Sequence, residues 1–271
     1  MMRRQGLLAT GVMLVTAVPA AAQDINLPFP AITFPGVSLS SGIDYSSGRY
    51  GDPTSTDILV GLTSLSVSEG DFQFTASMPY LNITGPAYVV VGPSGIPVLI
   101  NPQKSGGATV RSGWGDLNLG VTYSLPSDAL GDFDVALTAR TKVATADASK
   151  GLSTGATDFA FSVDVSRQIG IAAPFVTFSY RVPGSPSFYS FNDAPSFSAG
   201  TTLALDTSVI AILSYDFDGS ISPSLADAQQ LFASVSWLLT DEISLTAYAE
   251  DGLSSGAPKQ GTGLLISWKV H

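Results

Sequence analysis

The 271-residue chain has no cysteine, and its one histidine is His271. The first absence removes disulfide frameworks and thiolate chemistry; the two together remove Cys/His zinc sites. Histidine-dependent hydrolysis goes with them, because a general base must be held beside its nucleophile and a terminal residue frays. Charge is scarce too: 13% of residues are charged, against roughly 25% in soluble domains. With 45% hydrophobic residues, the composition suits a chain that meets lipid. The formal charge of -10 argues against nucleic acid as a partner, since a phosphate-binding face needs clustered Lys and Arg. Beyond residue 22 no apolar run approaches the about 20 residues a transmembrane helix requires. No catalytic residue, metal site or cofactor is expected, and the chain does not read as an enzyme.

Residues 1–22 read as a cleavable signal peptide. Arg3 and Arg4 form a positive n-region, Gly6 to Val18 a short apolar core, and Pro19-Ala20-Ala21-Ala22 a small-residue cleavage site before Gln23. Over 23–36, Pro28, Pro30 and Pro35 cannot donate to a ladder, so an extended segment is expected there. Its Leu27, Phe29, Ile32 and Phe34 suit a plug entering a pore from the periplasmic side, and a free periplasmic tail is the alternative.

What the chain has in abundance is period-two alternation, the signature of strands. Phe72, Phe74, Ala76, Met78 and Tyr80 alternate with Gln73, Thr75 and Ser77; Phe159, Phe161, Val163 and Val165 alternate with Asp158, Ala160, Ser162 and Asp164. Ile243, Leu245, Ala247 and Ala249 do the same against Ser244, Thr246, Tyr248 and Glu250. About twelve such segments occur, near 37–48, 55–68, 71–83, 114–125, 132–144, 157–168, 172–183, 195–205, 208–218, 228–239, 242–251 and 261–270. An even number of short strands joined by alternately short and long connections predicts an all-β fold, a transmembrane antiparallel up-and-down β-barrel over 37–271. A secreted β-sandwich would alternate too. Against it stands the last segment, Gly263 to Val270, which resembles the terminal strand that the barrel assembly machinery of the outer membrane recognises, although Val270 takes the place of the usual aromatic residue.

Charged residues fall on the small-residue face of these segments: Asp44, Asp116, Arg140, Lys142, Asp158, Asp164, Arg181, Asp216 and Glu250, with Asp218 and Lys269. They are candidates to line the lumen, either as a selectivity lining or as ion pairs filling a narrow barrel. The Asp216-Phe217-Asp218-Gly219 run reads as solvated loop charge rather than a calcium loop. The longest loop, Thr84 to Arg111, carries two apolar stretches flanking Gly92-Pro93-Ser94-Gly95 and is expected to hold a hairpin, folded inward or extending the wall.

Several motifs carry a family resemblance. Pro79-Tyr80-Leu81 with Gly85-Pro86, Ser112-Gly113-Trp114-Gly115-Asp116, Lys142-Val143-Ala144-Thr145-Ala146-Asp147, Gly151-Leu152-Ser153-Thr154-Gly155 with Asp158-Phe159, and Gly252 to Pro258 occur in that order. Together they resemble the outer-membrane transporter family named for the MetA-pathway of phenol degradation, over about residues 37–270. Ala144 stands where that pattern has proline and Ser153 where it has glycine. The resemblance implies a porin-like channel in the bacterial outer membrane for passive uptake of small aromatic or apolar solutes, with outer-membrane lipid around it and no residue roles to carry over. The alternative is a structural or surface-interaction barrel with an occluded lumen.

Overall fold

The computed structural model describes residues 36–50, 53–87, 89–91, 97–99, 108–126, 130–186, 189–223 and 225–270. The expected signal peptide at 1–22, the extended segment at 23–36 apart from Gly36, the turn 92–95 and His271 lie outside the described residues.

Strands dominate. They are β1 Gly36–Gly48, β2 Thr56–Glu69, β3 Phe72–Pro86, β4 Val89–Val91, β5 Pro97–Leu99, β6 Ala108–Trp114, β7 Leu117–Ser124 and β8 Asp134–Val143. β9 Asp158–Ser166, β10 Ala172–Val182, β11 Ala194–Asp206, β12 Val209–Asp218, β13 Ala228–Leu238, β14 Ile243–Gly252 and β15 Gln260–Val270 follow. Antiparallel ladders join neighbours all the way round, and β1 pairs with both β2 and β15, from Val37 opposite Val270 to Ser47 opposite Gln260. The sheet therefore closes on itself. β6 and β7 both pair with β3 and share one place in the wall, which makes twelve strands in circumference. β4 and β5 form the separate hairpin expected within the longest loop.

The alternation decides which way each side chain points. Phe72, Phe74, Phe159, Phe161, Phe178, Leu213 and Leu264 stand on the outer surface, each roughly half exposed, while Ser77, Ser162, Thr177, Ser198, Ser234 and Ser267 between them are buried inside. A surface this apolar is stable only in hydrocarbon, where a closed barrel satisfies every backbone group. No described helix is long and apolar enough to cross a membrane. Aromatic residues mark both interfaces. Phe72, Phe74, Phe133 and Trp237 sit at the short-turn end. Nearer the long loops, Tyr45 donates its hydroxyl to Asp57, Tyr180 to Asp193 and Tyr215 to Gln229, each at 3.1–3.2 Å. Such rings keep an apolar body in lipid and a polar tip in water.

One irregularity re-aims the wall. Ser77 faces Asn118 and Tyr80 faces Trp114, so Met78 and Pro79 oppose three residues, Gly115, Asp116 and Leu117. That extra residue is a β-bulge and reverses the alternation. Trp114 points outward, edge-on to Tyr80 at 5.4 Å, while Asp116 two residues on points inward and is buried.

Two expectations are corrected. The segment predicted at 114–125 starts at Ala108, because residues beyond the bulge continue the pairing with β3. Asp216 and Asp218 belong to β12 rather than to a solvated loop; their strand pairs on both sides, and Asp216 is buried. On the inward face, Ile58, Val60, Leu81 and Ile83 of β2 and β3 form an apolar cluster covered by Leu152.

Candidate functional site, the barrel interior

The interior is layered along the barrel axis. Toward the short turns the lining is hydroxylic, with Ser40 bonded to Ser267 at 2.8 Å, Ser236 to Thr246 at 2.8 Å, and Thr122 to Thr138 at 3.0 Å across adjacent strands. Midway, four inward side chains from β10, β12, β13 and β14 form an apolar cluster of Phe175, Ile212, Phe232 and Tyr248. The Phe232 and Tyr248 rings stack at 5.6 Å. Room for them comes from glycines on the neighbouring strand: Phe175 faces Gly200 and Tyr248 faces Gly263 in register. A Cβ at Gly200 would meet the Phe175 ring at 2.7 Å, and one at Gly263 the Tyr248 ring at 2.4 Å.

Toward the long loops the lining is charged, and the sequence-predicted residues divide into two groups. In the first, Lys142 bridges Asp116 at 3.0 Å and Asp158 at 2.8 Å, with all three side chains almost fully buried. The network also holds the β8–β9 loop. Asp116 Oδ1 accepts from the backbone N–H of Thr145 and of Ala146, both at 2.9 Å, and its Oδ2 accepts from the Ser153 hydroxyl. Lys142 donates further to Thr154 Oγ1 at 3.3 Å, and Asp158 accepts from the Gly184 N–H at 2.8 Å. Leu152, at the centre of this loop, packs on Ile58, Val60, Leu81 and Ile83. Arg111 donates to the carbonyls of Pro86, Ala87 and Gly151, which ties loop to wall. Arg140, one inward position below Lys142, lies within electrostatic reach of Asp164, whose Oδ1 accepts from Thr177 at 2.6 Å.

The second group lies on the other side of the interior. Asp44 accepts from the Tyr248 hydroxyl, Asp216 from Ser198 at 2.5 Å and Ser214 at 3.2 Å, and Glu250 stands beside them. Arg181, also buried, donates to the Gly219 carbonyl at 2.9 Å and pairs with Asp218 at 3.4 Å. No described group of three or more His, Cys, Asp or Glu is arranged to hold a metal ion.

Sequence reasoning missed the inward course of the β8–β9 loop, although its Gly-Leu-Ser-Thr-Gly run places one apolar residue among small ones. It also missed Tyr50, fully buried under the β1–β2 loop at a φ of 48°. Burial, with Glu250, Asp44 and Asp57 nearby, pushes the Tyr50 phenol well above its ordinary range. The hairpin in the longest loop crosses the mouth: Val90 packs on Ala194, Ile221, Phe191 and Leu225, five to six wall positions away from β3.

A closed twelve-stranded barrel with an apolar exterior and a layered, largely polar interior defines a transmembrane antiparallel β-barrel. Solved structures share that fold. The chain is similar to the KdgM porin, with a TM-score of 0.53, 5% identity, and 86% of this chain and 99% of that chain covered. It is similar to the translocator domain of the autotransporter NalP from Neisseria meningitidis, at a TM-score of 0.55 and 8% identity over 88% of this chain and 90% of that one. The toluene transporter TbuX from Ralstonia pickettii matches at a TM-score of 0.50 and 11% identity, over 94% and 95%. No protein-family model matches the chain, and no curated protein does.

Proposed function

We propose that this chain is an outer-membrane channel for passive uptake of small aromatic or apolar solutes. The observation that carries the reading is the midway cluster of Phe175, Ile212, Phe232 and Tyr248. Inside β2 and β3 the apolar residues are covered by Leu152 from a loop, whereas this cluster is built from wall strands alone, its four side chains packed together and almost fully buried, between the hydroxylic and the charged layers. Fold by itself does not choose among solute channel, protein translocator and structural barrel; an aromatic patch in a polar lumen favours a solute with an apolar body. The motif resemblance to the family named for phenol degradation supports the same solute class.

On this reading residues 1–22 direct export, 23–36 enter or trail from the periplasmic mouth, and 37–271 insert through assembly machinery that recognises β15. Asp44, Arg140, Asp164, Asp216 and Glu250 border the solute path, and Asp116, Lys142, Asp158 and Arg181 brace the wall and its loops around it. Liposomes carrying the refolded protein test it. Measured as the excess over protein-free liposomes, phenol entry should be accelerated more than that of a sugar of similar size, and Phe232→Ala should narrow the difference. A second reading, an occluded structural barrel, is favoured by the hairpin that crosses the mouth; absence of both solute flux and single-channel conductance would select it.

A further inference from the structure

Most carboxylates inside the barrel are matched by a cation. Asp116 and Asp158 share Lys142, Asp218 has Arg181, and Asp164 lies within electrostatic reach of Arg140. Asp44, Asp216 and Glu250 form no ion pair with any described Lys or Arg. Neutral hydroxyls serve the first two. Glu250 lacks even that: it is 8% exposed and takes no hydrogen bond from a described group. The charged neighbours acting on it are Asp44, Asp216 and Asp218, all of its own sign.

The surroundings of Glu250 are aromatic. Its side chain lies across Gly261 of β15, as the Tyr248 ring lies across Gly263, so both lean from β14 toward Asp44 on β1. Phe232 faces Glu250 directly on β13 and stacks on Tyr248. Tyr50 lies within electrostatic reach of Glu250 and Asp44 from the loop side. An unpaired buried carboxylate is costly, and a cation arriving from solution removes that cost. Aromatic faces add attraction for the same cation. A carboxylate beside aromatic rings suits a positive charge carried on an apolar body.

We infer that Glu250, with Asp44 and Asp216 on the same side of the interior, binds organic ammonium ions bearing an aromatic or apolar group, and that the channel passes them ahead of carboxylates of equal size. The second half rests on the channel reading above; the first does not. The test uses the full chain refolded in detergent, titrated calorimetrically with phenethylammonium, hydrocinnamate and benzyl alcohol, beside entry of the same three solutes into liposomes, flux being counted only as the excess over protein-free liposomes. Phenethylammonium should bind and hydrocinnamate should not. Glu250→Gln and Asp44→Asn should each weaken that binding roughly tenfold or more, the scale of a hydrogen bond to a charged group. Asp241→Asn, on the β13–β14 turn, should leave it unchanged. Heat-modifiable migration identifies the folded variants. Ammonium binding without flux of any solute overturns the channel reading and leaves the site standing. Flux of benzyl alcohol without ammonium binding, or ammonium binding untouched in both variants, overturns the site and leaves the channel.

Discussion

Glycines inside and outside this barrel answer to different constraints. Gly263 lies under the Tyr248 ring, which reaches over it to Asp44, and an added methyl would collide with ring carbons at 2.4 Å. Gly61 of β2 has nothing within 4 Å of where its Cβ would stand. Gly263→Ala should therefore cost about 1–3 kcal/mol, the usual penalty of overpacking, while Gly61→Ala is neutral. Thermal unfolding in detergent reads both. The outer face carries a second residue-scale prediction. Leu119 and Phe161 face lipid, 38% and 54% exposed, whereas Thr122 on the same strand as Leu119 points inward to Thr138. Leu119→Arg or Phe161→Arg should cost about 2–4 kcal/mol if the site lies near the bilayer midplane. Thr122→Asn exchanges one inward polar group for another and should give wild-type refolding yield; equal yields for all three would mean that the two faces are exchanged.

Among elements, the β8–β9 loop stands apart because it is held by charge as well as by packing. Asp116 is aimed inward by the bulge at Gly115, accepts two loop N–H groups, and shares Lys142 with Asp158. Removing one member of a buried network strands the others. Lys142→Met should cost about 3–5 kcal/mol and free the loop, seen as faster amide exchange at 145–154. This assigns Lys142 to holding structure; a simple role as an exposed positive ring in the pore does not fit its burial. Arg140, partly exposed below it, is the better determinant of ion selectivity. Arg140→Gln should move the reversal potential in a salt gradient toward cation selectivity while leaving the unfolding temperature closer to wild type than Lys142→Met does.

For the whole molecule, the long-loop mouth is crossed by the hairpin whose Val90 packs against Ala194 and Ile221 of the far side. Replacing residues 89–99 by a short Gly-Ser linker removes that cover without touching a wall strand. Single-channel conductance in planar bilayers should rise, and the folded band in unheated gels should persist. Unchanged conductance would place the narrowest passage deeper, at the level of Phe232 and Tyr248.

Strand number, facing and the transmembrane class are legible in the sequence because each depends on local alternation and on the exclusion of unpaired backbone from lipid, both carried by residues two apart. Hence Phe161 and Ser162 could be assigned to opposite faces before any contact was known, and the hairpin around Gly92 to Gly95 is readable from its flanking apolar runs. What depends on residues far apart in the chain was decided only by closure of the sheet. The meeting of Asp116, Lys142, Ser153 and Asp158 needs the bulge, which reverses an alternation that otherwise reads straight through Trp114. The pairing of Tyr248 with Asp44, 204 positions away, exists only because β15 lies between β14 and β1 and presents a glycine there. Leu152 on β2 and β3, and Val90 on Ala194, likewise follow from the shape of a closed wall, which gives loops an interior to fill and an opposite rim to reach.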